Sequence, residues 1–125
     1  MSKTSILVVD DNPAIRGLYS AVLARAGYDV YAADSVQALD GLASRRLSPN
    51  LIVTDLSMPV VDGMALTRWT RSRPWLSDVP VVAITGQYGD DLRQEAFSAG
   101  CCAFLSKPVP NQTLLDTVRV CVRRV

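Results

Sequence analysis

Short apolar runs alternate along this chain with longer segments in which apolar residues recur every three or four positions. The runs cover residues 5–9, 28–33, 51–54, 81–84 and 103–106, each about the length of a buried strand. The segment after the first run carries an apolar stripe at helical spacing: Ile15, Leu18, Val22 and Ala26. This alternation repeats five times and predicts an α/β domain built on a parallel sheet.

Residues that begin and end helices lie at the joins between these segments. Asn12, Ser35 and Asn111 are of the types that cap helix N-termini, and each precedes a helical pattern. Gly27 and Gly100 follow helical segments, where glycine commonly ends a helix. These capping and helix-ending residues therefore support the same order of strands and helices as the apolar pattern.

Composition fits one globular domain spanning residues 1–125. Apolar residues make up 49% of the chain and charged residues 20%, which excludes bulk disorder and suits a sheet buried on both faces. The formal net charge is +1, so no strong field favours nucleic acid or an anionic membrane. We accordingly expect no direct contact with either.

The cysteine and histidine counts narrow the chemistry further. The three cysteines are an odd number and two are adjacent, at Cys101 and Cys102, which argues against a disulfide framework and favours a reducing compartment. We predict that both act as small apolar fillers. The chain has no histidine, which excludes Cys/His zinc sites and Ser-His-Asp catalysis. No signal-peptide core or membrane-length apolar stretch is present, so we expect a cytoplasmic location.

Charged or hydroxyl-bearing residues follow four of the predicted strands. They are the pair Asp10-Asp11, then Asp55, Thr85 and Lys107. Because the carboxyl ends of parallel strands share one edge of a sheet, these side chains are expected to converge there. Like charges at close range are costly, so clustered carboxylates indicate a hard cation such as Mg²⁺. Each residue alone also has a simpler role, as a helix cap, a strand residue or a solvated lysine.

Taken together, these residues resemble the receiver domain of two-component response regulators (CheY-like). Residues 54–63, Thr-Asp-Leu-Ser-Met-Pro-Val-Val-Asp-Gly, look like the phosphoacceptor loop of that family, and the resemblance covers essentially the whole chain. It implies a five-stranded parallel sheet of order 2-1-3-4-5 with helices on both faces. It also implies that Asp55 is the phosphoacceptor, a carboxylate nucleophile that forms an acyl phosphate.

The resemblance assigns roles to the other strand-end residues as well. Asp11, Asp55 and the backbone carbonyl of Ser57 would bind Mg²⁺ or Mn²⁺ directly, and Asp10 would act mostly through water. Position 57 would also influence the lifetime of the phosphoryl group. These assignments form one metal site at the sheet edge.

Further residues would contact or respond to the phosphoryl group. Thr85 would donate its hydroxyl to a phosphoryl oxygen, and Lys107 would place its ammonium against the same group. The bond between Lys107 and Pro108 resembles the cis X-Pro bond of the family. Phe104 stands where the family carries a switch aromatic, although many members have tyrosine there. An ordinary core phenylalanine is the simpler interpretation.

The function implied is a phosphorylation-activated switch, which modifies and dephosphorylates only its own aspartate rather than turning over as an enzyme. Its partners would be a sensor histidine kinase or histidine phosphotransfer protein, and an output partner at the face of the fourth helix, fifth strand and fifth helix. One alternative is a haloacid-dehalogenase-like Mg²⁺ phosphatase with Asp55 as nucleophile. A second is a flavodoxin-like binding module, which would need a phosphate-cradling loop after the first strand.

Overall fold

The computed structural model describes residues 3–87 and 89–122, which form five strands and five helices in strict alternation. In chain order these are β1 (Ser5–Val9), α1 (Pro13–Arg25), β2 (Asp29–Ala33), α2 (Ser35–Ala43), β3 (Leu51–Asp55), α3 (Gly63–Arg71), β4 (Val81–Thr85), α4 (Asp90–Ala99), β5 (Ala103–Ser106) and α5 (Asn111–Val122). The strands pair in parallel in the order β2-β1-β3-β4-β5. The predicted fold class and strand order are confirmed.

Two apolar clusters lie on opposite faces of this sheet because neighbouring strand residues point to opposite sides. Along β1, Leu7 belongs to the cluster beneath α2, α3 and α4, whereas Ile6 and Val8 belong to the cluster beneath α1 and α5. All five residues of β3 and all five of β4 are buried. Burial on both faces explains why these strands read as continuous apolar runs.

The predicted start of helix α1 is confirmed, but the helix buries a different set of residues from the predicted apolar stripe. The Asn12 side chain accepts hydrogen bonds from the backbone N–H groups of Ala14 and Ile15, as an N-cap does. The most buried residues of the helix are Tyr19 and Leu23, four positions apart, whereas Leu18 is 50% exposed. The prediction of Leu18 in the core stripe was therefore wrong, because the inward face passes through Tyr19.

Two other predicted caps are displaced by one residue. Asp34 caps α2 by accepting from the Gln37 N–H at 2.8 Å, while the Gln37 side chain accepts from the Asp34 N–H at 3.2 Å. Ser35 is the first residue of that helix, and Asn111 is the first residue of α5. Asp34 caps the helix in place of Ser35 because Gln37, three residues after Asp34, returns a hydrogen bond, whereas Ala38, three residues after Ser35, cannot.

The cysteines divide between the two faces of the sheet. Cys101 is a buried free thiol beneath the helices α3 and α4, and its sulfur lies 3.8 Å from the Thr67 hydroxyl. Cys102, on the other face, forms a disulfide with Cys121 of α5. The prediction of apolar filler holds for Cys101 and was wrong for Cys102. Within the described residues, no helix is long and apolar enough to cross a membrane.

Candidate functional site at the carboxyl edge of the sheet

The strand register brings the predicted site residues to one edge. Thr54 of β3 pairs with Val9 of β1, so Asp55 and Asp10 each lie one residue beyond a paired position. Asp55 in turn pairs with Ile84, directly before Thr85 at the end of β4. The Lys107 backbone N–H donates to the Thr85 carbonyl at 2.8 Å, which places Lys107 just past β5 on the same edge.

The side chains of Lys107, Asp10 and Asp55 meet in a shared ion pair. The Lys107 ammonium lies 3.3 Å from Asp55 Oδ2 and 3.4 Å from Asp10 Oδ2. Both carboxylates are buried, since the Asp10 side chain is only 3% exposed and the Asp55 side chain only 9%, whereas the Lys107 side chain is 25% exposed. One ammonium therefore bridges two buried carboxylates and leaves an excess negative charge between them.

Electrostatics keeps Lys107 charged in this position. Burial lowers the pKa of Lys107, but the charges of Asp55 and Asp10 and the hydrogen bonds to them outweigh burial. The pKa of Lys107 therefore lies above its ordinary value of 10.5. The peptide bond between Lys107 and Pro108 is cis.

Backbone groups hold the second oxygen of each carboxylate. Asp55 Oδ1 accepts from the Ser57 N–H at 3.2 Å, and Asp10 Oδ1 accepts from the Asn12 N–H at 2.8 Å. Each side chain thus bonds an N–H two residues further on, a local turn that orients the other oxygen toward Lys107. The carboxylates are fixed before any ligand arrives.

The loop from β3 to α3 closes tightly against Asp55. The Gly63 N–H donates to the Leu56 carbonyl at 3.1 Å, and Asp62 caps α3 by accepting from the Ala65 N–H at 2.7 Å. A Cβ on Gly63 would lie 2.9 Å from both the Asp55 carbonyl carbon and Leu56 Cα, closer than real Cβ contacts occur. Glycine at position 63 is therefore required for this approach.

Asp11 points away from the ion pair. Its Oδ1 accepts from the Ser35 N–H at 3.0 Å, at the start of α2. The Ser35 hydroxyl in turn donates to the Pro59 carbonyl at 3.2 Å, which joins the loops after β2 and β3. Within residues 3–87 and 89–122, no three His, Cys, Asp or Glu side chains are grouped closely enough to hold a metal ion. The structure thus gathers Asp10 and Asp55 but not Asp11.

The donor set nevertheless suits a hard divalent cation. The available ligand atoms are carboxylate and carbonyl oxygens, which Mg²⁺ prefers. Asp10 and Asp55 carry one more negative charge than Lys107 neutralises, and both are almost fully buried. A divalent cation would offset this excess charge, so the residues present fit the predicted metal.

Thr85 and Phe104 lie at the end of β4 and in β5. Thr85 is fully buried, and its hydroxyl accepts from the Gln87 N–H at 3.0 Å. A hydroxyl that accepts a hydrogen bond can also donate its own proton. Phe104 is half-buried and packs against the apolar cluster beneath α2, α3 and α4.

Two residues of α1 also surround the site, and neither was expected there. The Arg16 guanidinium donates to the Asp10 carbonyl at 2.8 Å. Tyr19 is buried beside Lys107, and with it lines a cavity of about 290 Å³ that also includes Pro108. Burial raises the pKa of Tyr19 above its ordinary value of 10.0; the Lys107 charge opposes this rise, and the charges of Asp10 and Asp55 add to it.

Only Tyr19 left a signal in the sequence. It stands four residues after Ile15 and four before Leu23, on one helical face. Arg16 reaches back over a helix start, and nothing in the apolar pattern indicates that contact.

The fold and this edge of the sheet agree with comparisons to known proteins. The family model of the response regulator receiver domain matches residues 6–119. The chain therefore belongs to that family, whose members are signalling switches of two-component systems. The haloacid-dehalogenase-like alternative gains no support from these comparisons.

Among curated proteins, the chain is 38% identical over 125 residues to the DNA-binding dual master transcriptional regulator RpaA of Synechocystis, covering 95% of this chain and 49% of RpaA. It therefore spans about half the length of that relative. It is 30% identical over 118 residues to the polar-differentiation response regulator DivK of Brucella anthropi, covering 92% of this chain and 93% of DivK.

Among solved structures, the chain is similar to the chemotaxis protein CheY4 of Vibrio cholerae, with a TM-score of 0.87 and 29% identity over 95% of this chain and 98% of CheY4. It is also similar to the receiver domain of sensor histidine kinase PA1611 from Pseudomonas aeruginosa, with a TM-score of 0.85 and 28% identity over 98% and 99% of the two chains. That structure has a magnesium ion coordinated in its active-site cleft.

Proposed function

We propose that this chain, as one receiver domain over residues 1–125, accepts a phosphoryl group onto Asp55 and thereby changes its affinity for an output partner. The observation that carries the proposal is the Lys107 ammonium held 3.3 Å from Asp55 and 3.4 Å from Asp10. A cation placed beside a fixed carboxylate is the arrangement that in-line phosphoryl transfer needs, because positioning and charge stabilisation supply most of the catalysis.

The transfer step forms one bond and breaks another. An Asp55 carboxylate oxygen attacks the phosphorus of a phosphohistidine on the partner, the new O–P bond gives an acyl phosphate, and the P–N bond breaks. The imidazole leaves with the bonding electron pair and takes a proton from solvent. Lys107 pairs with the phosphoryl oxygens, and the Ser57 N–H, 3.2 Å from Asp55 Oδ1, keeps the nucleophile oriented. Attack of water on phosphorus later returns the carboxylate and inorganic phosphate.

We infer a divalent site built from Asp10, Asp11, Asp55 and the Ser57 carbonyl. When bound, Mg²⁺ or Mn²⁺ would offset the negative charge of the carboxylates and the phosphoryl oxygens. Asp11 Oδ1 accepts from the Ser35 N–H at 3.0 Å, so Asp11 would bind the cation through its second carboxylate oxygen or after turning away from Ser35. The magnesium ion in the PA1611 receiver domain supports this inference.

The metal proposal is tested by heating the protein with and without Mg²⁺, since a ligand that binds the folded state raises the unfolding temperature. We expect Mg²⁺ to raise that temperature, and Asp11→Asn to lose most of the rise. Asp34→Asn is the control, because asparagine still caps a helix at that position. An equal rise in Asp11→Asn would remove Asp11 from the site.

The switch acts through β4 and β5. The phosphoryl group adds negative charge and acceptor oxygens beside Thr85, whose hydroxyl moves to donate to them. Phe104, half-buried in β5, then turns into the space that Thr85 vacates. These movements repack the face formed by α4, β5 and α5, and the signal is the difference in a partner's affinity for the two states of that face.

The partners are proposed from the same chemistry. Residues 1–125 contain no histidine, so the phosphohistidine lies outside them, on a sensor histidine kinase or histidine phosphotransfer protein or on another part of a longer protein. The output partner is a protein, which binds the face of α4, β5 and α5. We propose the cytoplasm as the place of this exchange.

The phosphoacceptor is tested with acetyl phosphate and Mg²⁺, followed by intact mass. We expect the wild type to gain one phosphoryl group and Asp55→Asn to gain none. Asp62→Asn is a matched control, because it removes a carboxylate seven residues away while keeping an N-cap for α3. The proposal fails if Asp55→Asn gains the same mass as the wild type, or if no protein is modified.

A further inference from the structure

The disulfide between Cys102 and Cys121 closes a covalent loop around part of the proposed switch. Cys102 directly precedes β5, and Cys121 lies in the last turn of α5, 19 residues later. Their Cα atoms are 6.3 Å apart, within the range that a disulfide spans. Phe104 and Lys107 both lie between the two cysteines. The bond therefore ties the strand that carries Phe104 to the helix behind it.

Both cysteines of the disulfide line a cavity at the protein surface. A cavity of about 270 Å³ is lined by Cys102, Ala103, Asp116, Thr117, Val120 and Cys121. Val120 at its rim is 56% exposed, and Cys102 is half-buried, whereas Cys121 is only 2% exposed. Because Cys102 is the more exposed of the two cysteines, it is the one that we expect a small disulfide or thiol in this cavity to attack or to be attacked by.

The neighbouring Cys101 has none of these features. It packs on the opposite face of the sheet, its sulfur lies 3.8 Å from the Thr67 hydroxyl, and burial raises the pKa of its thiol above the ordinary 9.0. Cys101 does not line the cavity beside Cys102, and it lies across the sheet from Cys121, so it cannot take part in that disulfide. Cys101 therefore provides an internal control for the pair.

We propose that Cys102 and Cys121 form a reversible thiol–disulfide exchange site, which reacts with low-molecular-weight disulfides and, when oxidised, locks β5 to α5. In the reducing compartment proposed for this protein, a protein disulfide is usually transient and redox-sensing. The pairing, the cavity and the contrast with Cys101 all support exchange at these two residues.

The chemistry balances in two steps. The Cys102 thiolate attacks one sulfur of the small disulfide, whose S–S bond breaks and releases one thiol, which leaves a mixed disulfide on Cys102. The Cys121 thiolate then attacks the Cys102 sulfur and releases the second thiol. Two protein thiols are oxidised, one small disulfide is reduced to two thiols, and the two protons pass to those products.

The consequence for signalling rests on the proposed function. In the oxidised form, the covalent link limits the separation of β5 and α5 while leaving Asp55 and Lys107 chemically unchanged. We expect both forms to accept a phosphoryl group. Phosphorylation should change amide hydrogen exchange across β5 and α5 more in the reduced form than in the oxidised form.

The experiment equilibrates the folded chain with buffers of reduced and oxidised glutathione and then alkylates free thiols under denaturing conditions before intact mass. Cys101→Ala provides a clean background, in which the reduced form takes two alkyl groups and the oxidised form takes none. We expect a reversible transition between these masses as the ratio changes, with unfolding roughly 10 °C higher in the oxidised form. Cys102→Ser and Cys121→Val should abolish the transition, and circular dichroism checks that each is folded.

Two outcomes would overturn the proposal. Alkylation of both thiols at every glutathione ratio would show that the pair does not oxidise. A disulfide that glutathione reduces only after the chain unfolds would be a permanent structural bond rather than an exchange site. Asp55 takes no part in the thiol assay, so loss of phosphorylation and loss of exchange are measured independently.

Discussion

Replacing Gly63 by alanine tests whether the loop after β3 holds the phosphoacceptor in place. A Cβ at position 63 would lie 2.9 Å from the Asp55 carbonyl carbon and from Leu56 Cα, where ordinary contacts are several tenths of an ångström longer. Both atoms are backbone and Asp55 ends a fully buried strand, so neither can move as a flexible side chain would. If these atoms move apart, the 3.1 Å hydrogen bond from the Gly63 N–H to the Leu56 carbonyl must lengthen as well.

The size of the effect follows from the cost of overpacking. Forcing extra atoms into a packed region typically destabilises a protein by about 1–3 kcal/mol. For a domain of this size, that lowers the unfolding temperature by roughly 5–10 °C. The displacement also moves Asp55 relative to Lys107, so we expect phosphorylation by acetyl phosphate to slow by on the order of tenfold or more, since small misplacements of reacting groups are costly.

The matched control is Gly86→Ala, beside Thr85, where an added Cβ meets nothing within 4 Å. Thermal unfolding and the rate of mass gain should both stay close to those of the wild type in this variant. If Gly63→Ala unfolds at the wild-type temperature and gains the phosphoryl group at the wild-type rate, the argument that this close approach positions Asp55 is wrong.

Three further predictions concern a helix cap, a buried thiol and the switch aromatic. Asp34→Ala removes the reciprocal capping bonds of α2 and should cost about 1 kcal/mol in urea unfolding; no change would mean that the cap contributes nothing. Burial raises the pKa of Cys101 above 9.0, so its neutral thiol stabilises the fold fully below pH 9 and this contribution is lost as pH rises through the folded-state pKa. In denaturant titrations, the wild type should therefore lose more stability than Cys101→Ala between about pH 8 and about pH 10, a range that brackets the ordinary thiol pKa of about 9. Equal losses in the two proteins would contradict this. Phe104→Ala should cost about 2 kcal/mol and weaken partner coupling while phosphorylation persists, whereas unchanged coupling would make Phe104 an ordinary core residue.

The fold was predictable because each local pattern agrees with the global one. Strands such as β3 and β4 are buried on both faces and so appear as unbroken apolar runs, and Gly27 and Gly100 mark helix ends through positive φ angles of 99° and 113°. The edge where the site lies followed from strand direction alone. Asp10, Asp55 and Lys107 meet there as expected.

The features that the sequence did not reveal depend on geometry that no local pattern encodes. The side chain of Asp11 could turn toward either the ion pair or the Ser35 N–H, and only the fold decides between them. The disulfide depends on the 6.3 Å separation of the Cys102 and Cys121 Cα atoms, which the fold sets. The odd number of cysteines instead suggested that no disulfide forms. The orientation of α1 against the sheet, which the apolar pattern did not define, buries Tyr19 and leaves Leu18 half-exposed.

The most direct measurement of the central claim locates the phosphoryl group on the chain. After reaction with acetyl phosphate and Mg²⁺, borohydride reduces an aspartyl phosphate to homoserine, which peptide mass spectrometry identifies by position. The account predicts homoserine at position 55 and unmodified aspartate at Asp10, Asp11 and Asp62. Homoserine at one of those positions with none at 55 would contradict it.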